Sequence, residues 1–513
     1  MTPKQPGTTS NSGSKSRSRQ RAATGTGLAE HIAAVQRLRR DYRALPEGAP
    51  VRLAKPTSNL FRFREPSDAP ALDVSAFSGV ISIDPVERLA DVGGMTTYEE
   101  LVAATLPHGL MPMVVPQLRT ITLGGAVTGL GIESSSFRNG LPHESVQEME
   151  ILTGSGEVVT ATRDNAHSDL FHGFPNSYGT LGYSLRLRIE LEPVSPYVHL
   201  RHLRYHDASE AMAALARICA DAAHEGHPVD FVDGVAFGPG ELYLTLARFT
   251  DRAPWTSDYT GNDVYYRSIR RYADPAPAFV SSSSSGSVAG SAASGTAGPG
   301  DYLTIHDYLW RWDTDWFWCS RAFGTQNPLV RPLWPRALKR SDVYRRLVAW
   351  DRRTDFSRLL NHYRGRPQQE PLIQDIEVGI ERGAEFLDFF HDQIGMTPLW
   401  MCPLRLREPR REGLAEGEHV WPLYPLENDR LYVNFGFWGL VDMKPGQRRA
   451  HHNRAVEEEV TRLGGHKSLY SDSFYTEEEF WALYNGTDYQ NLKETYDPRG
   501  RLLDLYAKCV RNR

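Results

Sequence analysis

The sequence is poor in lysine, in cysteine and in long apolar runs. Only eight of its 58 basic residues are lysine, an arginine excess that reads as base-composition bias. Four cysteines, Cys219, Cys319, Cys402 and Cys509, are scattered through 513 residues, with no pair at metal-ligand or redox spacing. That argues against a disulfide-built scaffold and a cysteine-held metal, and favours free thiols in a reducing compartment. No stretch holds eighteen uninterrupted apolar residues, so no transmembrane helix is expected. The formal net charge of −5 leaves no global basic footprint for nucleic acid. No catalytic triad, zinc motif or P-loop is present, and no metal site is expected. Residues 1–25 have no acid. They carry Lys4, Lys15, Arg17, Arg19 and Arg21 among Ser, Thr, Gly and Gln. This reads as a solvated, disordered tail. The alternative is weak attraction to anionic headgroups, about 1 kcal/mol per basic residue. It lacks the apolar core of a signal peptide.

What the sequence does have is a glycine-rich run, Pro116 to Gly131, after an apolar strand-like segment, Leu110 to Val115. Glycine lets backbone approach a ligand that a β-carbon would exclude, and consecutive N–H groups can cradle an anion. The run reads as a loop laid along a pyrophosphate, although its glycine spacing is not the G-x-G-x-x-G fingerprint. Its surroundings are strand-like. Gly79–Asp84 and Leu89–Gly94 alternate, and Thr96 or Thr97 can cap a helix through Leu106 that His108-Gly109 ends. Val146–Leu152 and Glu157–Ala161 flank a Gly154-Ser155-Gly156 turn. A second glycine cluster, Tyr178–Tyr183, leads into a strand from Ser184 to Leu191. Further on, Val229–Phe237, Glu241–Leu246 and Leu431–Phe437 read as strands, and Ala208–Ala223 and Glu477–Tyr484 as helices. Ser281–Gly300 is almost purely Ser, Gly and Ala and reads as a flexible insert. It is followed by an aromatic-dense stretch, Tyr302 to Trp318, which is either core or the wall of an apolar tunnel.

The ordered set Asp91-Val92-Gly93-Gly94, Thr122–Gly125, Gly154–Gly156, Asp169–Phe171 and Gly179–Gly182 resembles the FAD-binding domain of the vanillyl-alcohol oxidase / p-cresol methylhydroxylase family. Gly131–Ser136, Pro371–Asp375, Glu477–Trp481 and Leu502–Lys508 are similar to the Δ24-sterol reductase branch. Arg52–Phe61 and Pro116–Gly140 look like the actinobacterial flavoproteins that reduce a 10-methylene fatty acyl chain. The resemblance implies an α+β fold. Its parts are a two-subdomain FAD-binding domain over 30–195, an antiparallel substrate domain over 196–440, and a segment over 441–513 that packs back on the flavin domain. It implies FAD held by Lys55, Thr57, Ser58 and Asn59, and by Arg119, Thr120, Thr122, Leu123, Gly124, Gly125, Gly129, Gly131 and Ile132. Glu133, Ser134 and Ser135, and Gly179, Thr180, Leu181 and Gly182, complete the expected set. Residues 52–60 hold no histidine, the attachment residue of many family members, so the cofactor is expected to be noncovalent. Phe137 stands where sterol reductases carry histidine, which favours an apolar, non-sterol ligand.

The implied reaction is reduction of a lipid carbon–carbon double bond, the 10-methylene group of an acyl chain, with NADPH as donor. An unactivated alkene needs a proton donor in a dry pocket. Glu133, Tyr470, Asp472 and Tyr475 are the candidates, while His143 reads as a solvent or turn residue and His451-His452 as a surface pair. An alcohol oxidase or dehydrogenase on the same fold, and a flavin-free lipid-binding protein, stay open. The expected partner is a long-chain acyl phospholipid. The expected location is cytoplasmic, with peripheral contact at the inner membrane face as an open extension.

Overall fold

A computed structural model describes residues 27–55, 61–62, 69–274, 300–354, 367–409, 414–415 and 417–511. The expectations placed on the 1–25 tail, on Thr57, Ser58 and Asn59, and on 281–299 lie outside the described residues.

Helix α1 (Leu28–Ala44) lays Ala34, Leu38 and Tyr42 against a parallel pair, β1 (Arg52–Ala54) and β2 (Ala71–Asp73). Next comes a six-stranded antiparallel sheet whose main order is β3 (Val80–Asp84), β4 (Leu89–Gly93), β8 (Gly182–Pro193), β6 (Val146–Thr153) and β7 (Val158–Thr162). β5 (Leu110–Pro112) pairs with the far end of β8. The run Leu110–Val115 is strand only to Pro112, because Pro112 and Pro116 lack ladder donors and turn the chain away. Thr97 caps α2 (Tyr98–Thr105) in a capping box: its hydroxyl accepts from Glu100 N at 3.3 Å, and Glu100 Oε2 accepts from Thr97 N at 3.0 Å. Gly156, at φ +87°, closes the β6–β7 turn against the Tyr42 ring, where a β-carbon would come within 2.5 Å.

Part of the glycine-rich run is helical, not loop. Thr122 Oγ1 accepts from Gly125 N and starts the short α3 (Leu123–Gly129). Its first glycine is needed for packing: a β-carbon on Gly124 would lie 2.3 Å from Ser184 Oγ and 2.8 Å from Gly94 O. α3 therefore rests flush on β4 and β8.

The second sheet has nine strands. Its order is Ala273–Asp274, Tyr197–Tyr205, Glu241–Thr250, Phe231–Gly238, Leu399–Leu404, Tyr432–Asp442, Gln369–Gly379 and His466–Lys467, with Asp301–Thr304 also on Tyr197–Tyr205. Alternation sorts its faces. Val232, Ala236 and Leu244 pack under the helices Ala208–Asp221, Gly383–Phe389 and His451–Arg462. Phe231, Val235 and Trp400 face the first sheet and share its core with Val127, Leu187 and Trp312. One strand of this sheet, His466–Lys467, comes from beyond residue 440. The last helices return to the first sheet: Ser155 N donates to Tyr496 O at 3.0 Å and Lys493 Nζ to Thr180 O at 2.8 Å.

Two histidine readings are corrected. His143 is buried edge-on against Trp421, and that burial pushes its imidazole down to about 3. His452 is buried beneath Glu370, while His451 remains exposed.

Candidate active site

A cavity of about 1120 Å³ runs between the two sheets. One end is lined by Thr120, Thr122, Gly124, Gly125, Gly129, Gly131 and Ile132 from the glycine-rich run, and by Gly179, Gly182, Lys55 and Lys508. The other end is aromatic, with Phe61, Trp316, Phe317, Trp400, Trp438 and Tyr470. Trp316 and Phe317 are consecutive residues at φ +46° and +56°. That left-handed pair is rare for aromatic residues and turns their rings inward. The aromatic-dense stretch therefore divides: Trp310, Trp312 and Trp318 are core, whereas Trp316 and Phe317 are wall.

Tyr470 sits where the aromatic wall meets a buried polar network. Its Oη accepts from Trp438 Nε1 at 2.9 Å and is hydrogen-bonded to Asp375. Asp375 also lines the cavity, and Asn434 Nδ2 donates weakly to its Oδ1 at 3.4 Å. Burial raises the Asp375 carboxyl to about 7, against the hydrogen bonds from Asn434 and Tyr470 that favour the anion. Two residues on, Glu377 is fully buried, and burial raises it to about 8. Tyr424 Oη donates to Glu377 Oε2, and Ser468 Oγ, also in the cavity wall, donates to Glu377 Oε1 at 3.1 Å. Two carboxyls able to hold protons near neutral pH thus stand behind one phenol at the cavity surface.

The other proton-donor candidates lie elsewhere. Glu133 is buried away from the cavity wall. It shares Arg311 with Asp233, at 3.2 Å and 2.8 Å from Arg311 Nη2 respectively. Asp233 Oδ2 also accepts from the indole N–H groups of Trp312 (3.0 Å) and Trp400 (3.3 Å). This cluster braces the aromatic wall from behind. Breaking such a buried pair by removing one partner is strongly destabilising. Asp472 presents its carbonyl to Lys467 Nζ and does not line the cavity. Tyr475 is buried on Tyr484.

Residues 28–162 match the family model described as FAD binding domain (FAD_binding_4). The chain is an FAD-dependent oxidoreductase. It is 26% identical over 442 residues to the Delta(24)-sterol reductase of Homo sapiens, covering 84% of this chain and 76% of that protein. It is 24% identical over 463 residues to the Delta(24)-sterol reductase of Arabidopsis thaliana, covering 86% and 77%. Cytokinin dehydrogenase 7 of Oryza sativa subsp. japonica is 32% identical over 167 residues, 33% of this chain and 31% of that protein.

The cavity suits FAD. Gln117 lines it and is 4% exposed, yet neither its amide nitrogen nor its oxygen has a partner among the described residues. A buried carboxamide with both ends unsatisfied calls for a bound polar group. Gly125 is exposed to the cavity, and a β-carbon there would meet only Thr122 Oγ1, at 2.8 Å. Lys55, Arg345 and Lys508 supply positive charge for a pyrophosphate, and the indoles supply flat surface for a tricyclic ring. No histidine or cysteine lines the cavity among the described residues.

Several residues expected at the cofactor do not line the cavity, and their side chains have partners elsewhere. Arg119 is pinned by Asp313 and Glu99 over Trp310. Leu123 and Leu181 are core. Ser134 bonds Glu133 and Tyr308, Ser135 bonds Met113 O, and Thr180 bonds Ser177 O. Sequence reasoning missed Gln117, Trp438 and Asp375. Gln117 and Asp375 stood inside quoted motifs, but nothing local marks a side chain as unpartnered or a carboxyl as buried.

Proposed function

We propose that this enzyme reduces an isolated carbon–carbon double bond of a lipid, the 10-methylene branch of a long fatty acyl chain, with NADPH as electron donor. The observation that carries the reading is Tyr470, held at the cavity surface between Trp438 and Asp375. The sterol reductase relatives and the aromatic, apolar end of the cavity support it. When bound, FAD would supply the hydride. The protein must deliver the proton, because an unactivated alkene has no carbonyl to stabilise a carbanion. Tyr470 Oη gives its proton to the second alkene carbon and is refilled from the Asp375 carboxyl. The indole N–H of Trp438 stabilises the phenolate as it forms. Phe61, packed edge-on at 5.6 Å, holds the Tyr470 ring in place, and the surrounding indoles exclude water.

Anaerobically reduced enzyme mixed with a 10-methylene phospholipid should reoxidise and yield the 10-methyl lipid. Reduced flavin that ignores this alkene but reacts with a Δ24 sterol would assign a sterol substrate. Bleaching of oxidised enzyme by alcohols, with rapid reaction of reduced enzyme with oxygen, would replace the proposal with an oxidase.

The proton source also sets a pH dependence. The Asp375 carboxyl, raised to about 7, is protonated and competent below that value and loses its proton above it. The single-turnover rate of alkene reduction should be flat in mild acid and fall about tenfold per pH unit above neutrality. Asp375→Asn should remove this dependence at a lower plateau. An Asp375→Asn profile that still falls at the same pH would assign the titration to another group.

A further inference from the structure

Exposed large apolar side chains are single or, as with Leu28 and Ile32, paired over most of the described surface, and four gather in one place. Leu329, Val330, Leu333 and Leu338 fall within ten residues, and Leu329 and Leu333 are each 82% exposed. Trp350 follows at 54%. The leucines are held out, not left loose. Beneath them Arg331 reaches Asp315 Oδ1 (2.8 Å), Tyr259 O (2.8 Å) and Asp263 O (2.7 Å). Lys339 Nζ donates to Thr260 O and Gly261 O. Leu333 and Leu338 end two short 3₁₀ turns, Arg331–Leu333 and Arg336–Leu338, in a stretch stiffened by Pro332 and Pro335. A braced apolar patch of this kind marks an interaction surface.

Charge identifies the partner. From Arg321 to Trp350 the sequence carries seven basic residues and one acid, Asp342, in a chain of net charge −5. Arg321, Arg336 and Arg346 are exposed. Asp258 pairs with Arg336 at 2.7 Å, Asp342 with Arg340 and Arg346, Glu99 with Arg340 at 2.7 Å and Asp315 with Arg331 at 2.8 Å, so four carboxylates stand against the seven basic residues and the face stays basic. The same segment reaches the cavity, because Ser341 and Arg345 of the helix Ser341–Thr354 are in its wall.

We propose that the 329–350 segment docks the enzyme on an anionic phospholipid bilayer, with the leucines in the acyl boundary and the arginines at the headgroups. Leucine burial and arginine–phosphate attraction add in such interfacial binding, and tryptophan favours the headgroup level. The cavity then lies against the lipid surface, where a long acyl chain need not cross water to enter. This goes beyond the substrate reading and is tested without turnover, so either can fail alone.

The test is co-sedimentation of the full-length, flavin-loaded protein with vesicles of phosphatidylglycerol and phosphatidylcholine, against phosphatidylcholine alone. Binding is expected on the anionic vesicles and should weaken with salt. The triple change Leu329→Ser, Leu333→Ser, Leu338→Ser should weaken partitioning by about tenfold or more. Flavin absorbance and melting temperature should stay unchanged, since these side chains pack on little. The pair Arg336→Glu, Arg346→Glu should abolish the preference for anionic vesicles. Equal vesicle binding by the triple variant would overturn the proposal and assign any attraction to the basic N-terminal residues, which every variant retains. Failure of the parent to bind vesicles, with a dimer that the triple variant dissociates, would assign the face to a second copy of the chain.

Discussion

Replacing Tyr470 with phenylalanine is expected to slow reduction of the lipid double bond by ~10²–10⁴, the usual contribution of a positioned acid. NADPH should still reduce the bound flavin, because that half-reaction draws no proton from Tyr470. The substitution keeps the ring, so its edge-on contact with Phe61 survives and the aromatic wall keeps its shape. It removes one hydroxyl, the acceptor for Trp438 Nε1 and the hydrogen-bond partner of Asp375. Stopped-flow spectroscopy separates the two half-reactions. A Tyr470→Phe enzyme whose flavin is reoxidised by the alkene at the parent rate would remove Tyr470 as the donor. The buried Glu133–Arg311–Asp233 cluster makes a contrasting case. Glu133→Gln should act through stability and wall geometry, so both half-reactions should change together.

Replacing Gly125 with tryptophan should yield a folded but colourless protein. Gly125 is the third residue of α3, exposed on the cavity side, and the nearest non-neighbouring protein atom to a β-carbon there is the Thr122 hydroxyl. The indole would therefore enter the volume assigned to the cofactor without striking the sheet. The same change at Gly124 would drive a side chain into Ser184 and Gly94 and damage the fold itself. In the parent, acid precipitation should release yellow FAD to the supernatant, since no histidine or cysteine lines the cavity among the described residues. A Gly125→Trp protein that retains a full complement of flavin would show that the pyrophosphate does not lie along this run. Colour left in the acid pellet of the parent would show a covalent link.

Much of the first sheet is legible in the sequence because its signals are local. Alternation marks β3 and β4, Thr97 and Glu100 close a capping box three residues apart, and Gly156 makes the hairpin turn. The same local reasoning took the whole glycine-rich run for a loop. It misjudged α3 because glycine lowers helix propensity, whereas Thr122 capping and close packing on β4 and β8 outweigh that cost. It also left His143 at the surface, because nothing nearby in sequence announces the Trp421 ring that buries it.

By itself, then, the sequence determined the order of flavin-domain elements, the glycines at the cavity, and Tyr470 as one of several possible donors. Only tertiary structure shows which of those candidates reaches the cavity wall: Tyr470 does, and Glu133, Asp472 and Tyr475 do not. Strand pairing sets Asp375 opposite Gly436, where a β-carbon would lie 2.4 Å from Asp375 Oδ1, so only glycine leaves room for that carboxyl. The chain after His466–Lys467 then brings Ser468 and Tyr470 to the same wall, nearly a hundred residues away in sequence. Glu133, by contrast, is claimed by Arg311, a partner 178 residues distant. A carboxyl's pKa and its access to a cavity are set by such long-range neighbours, and no spacing rule within a motif carries that information.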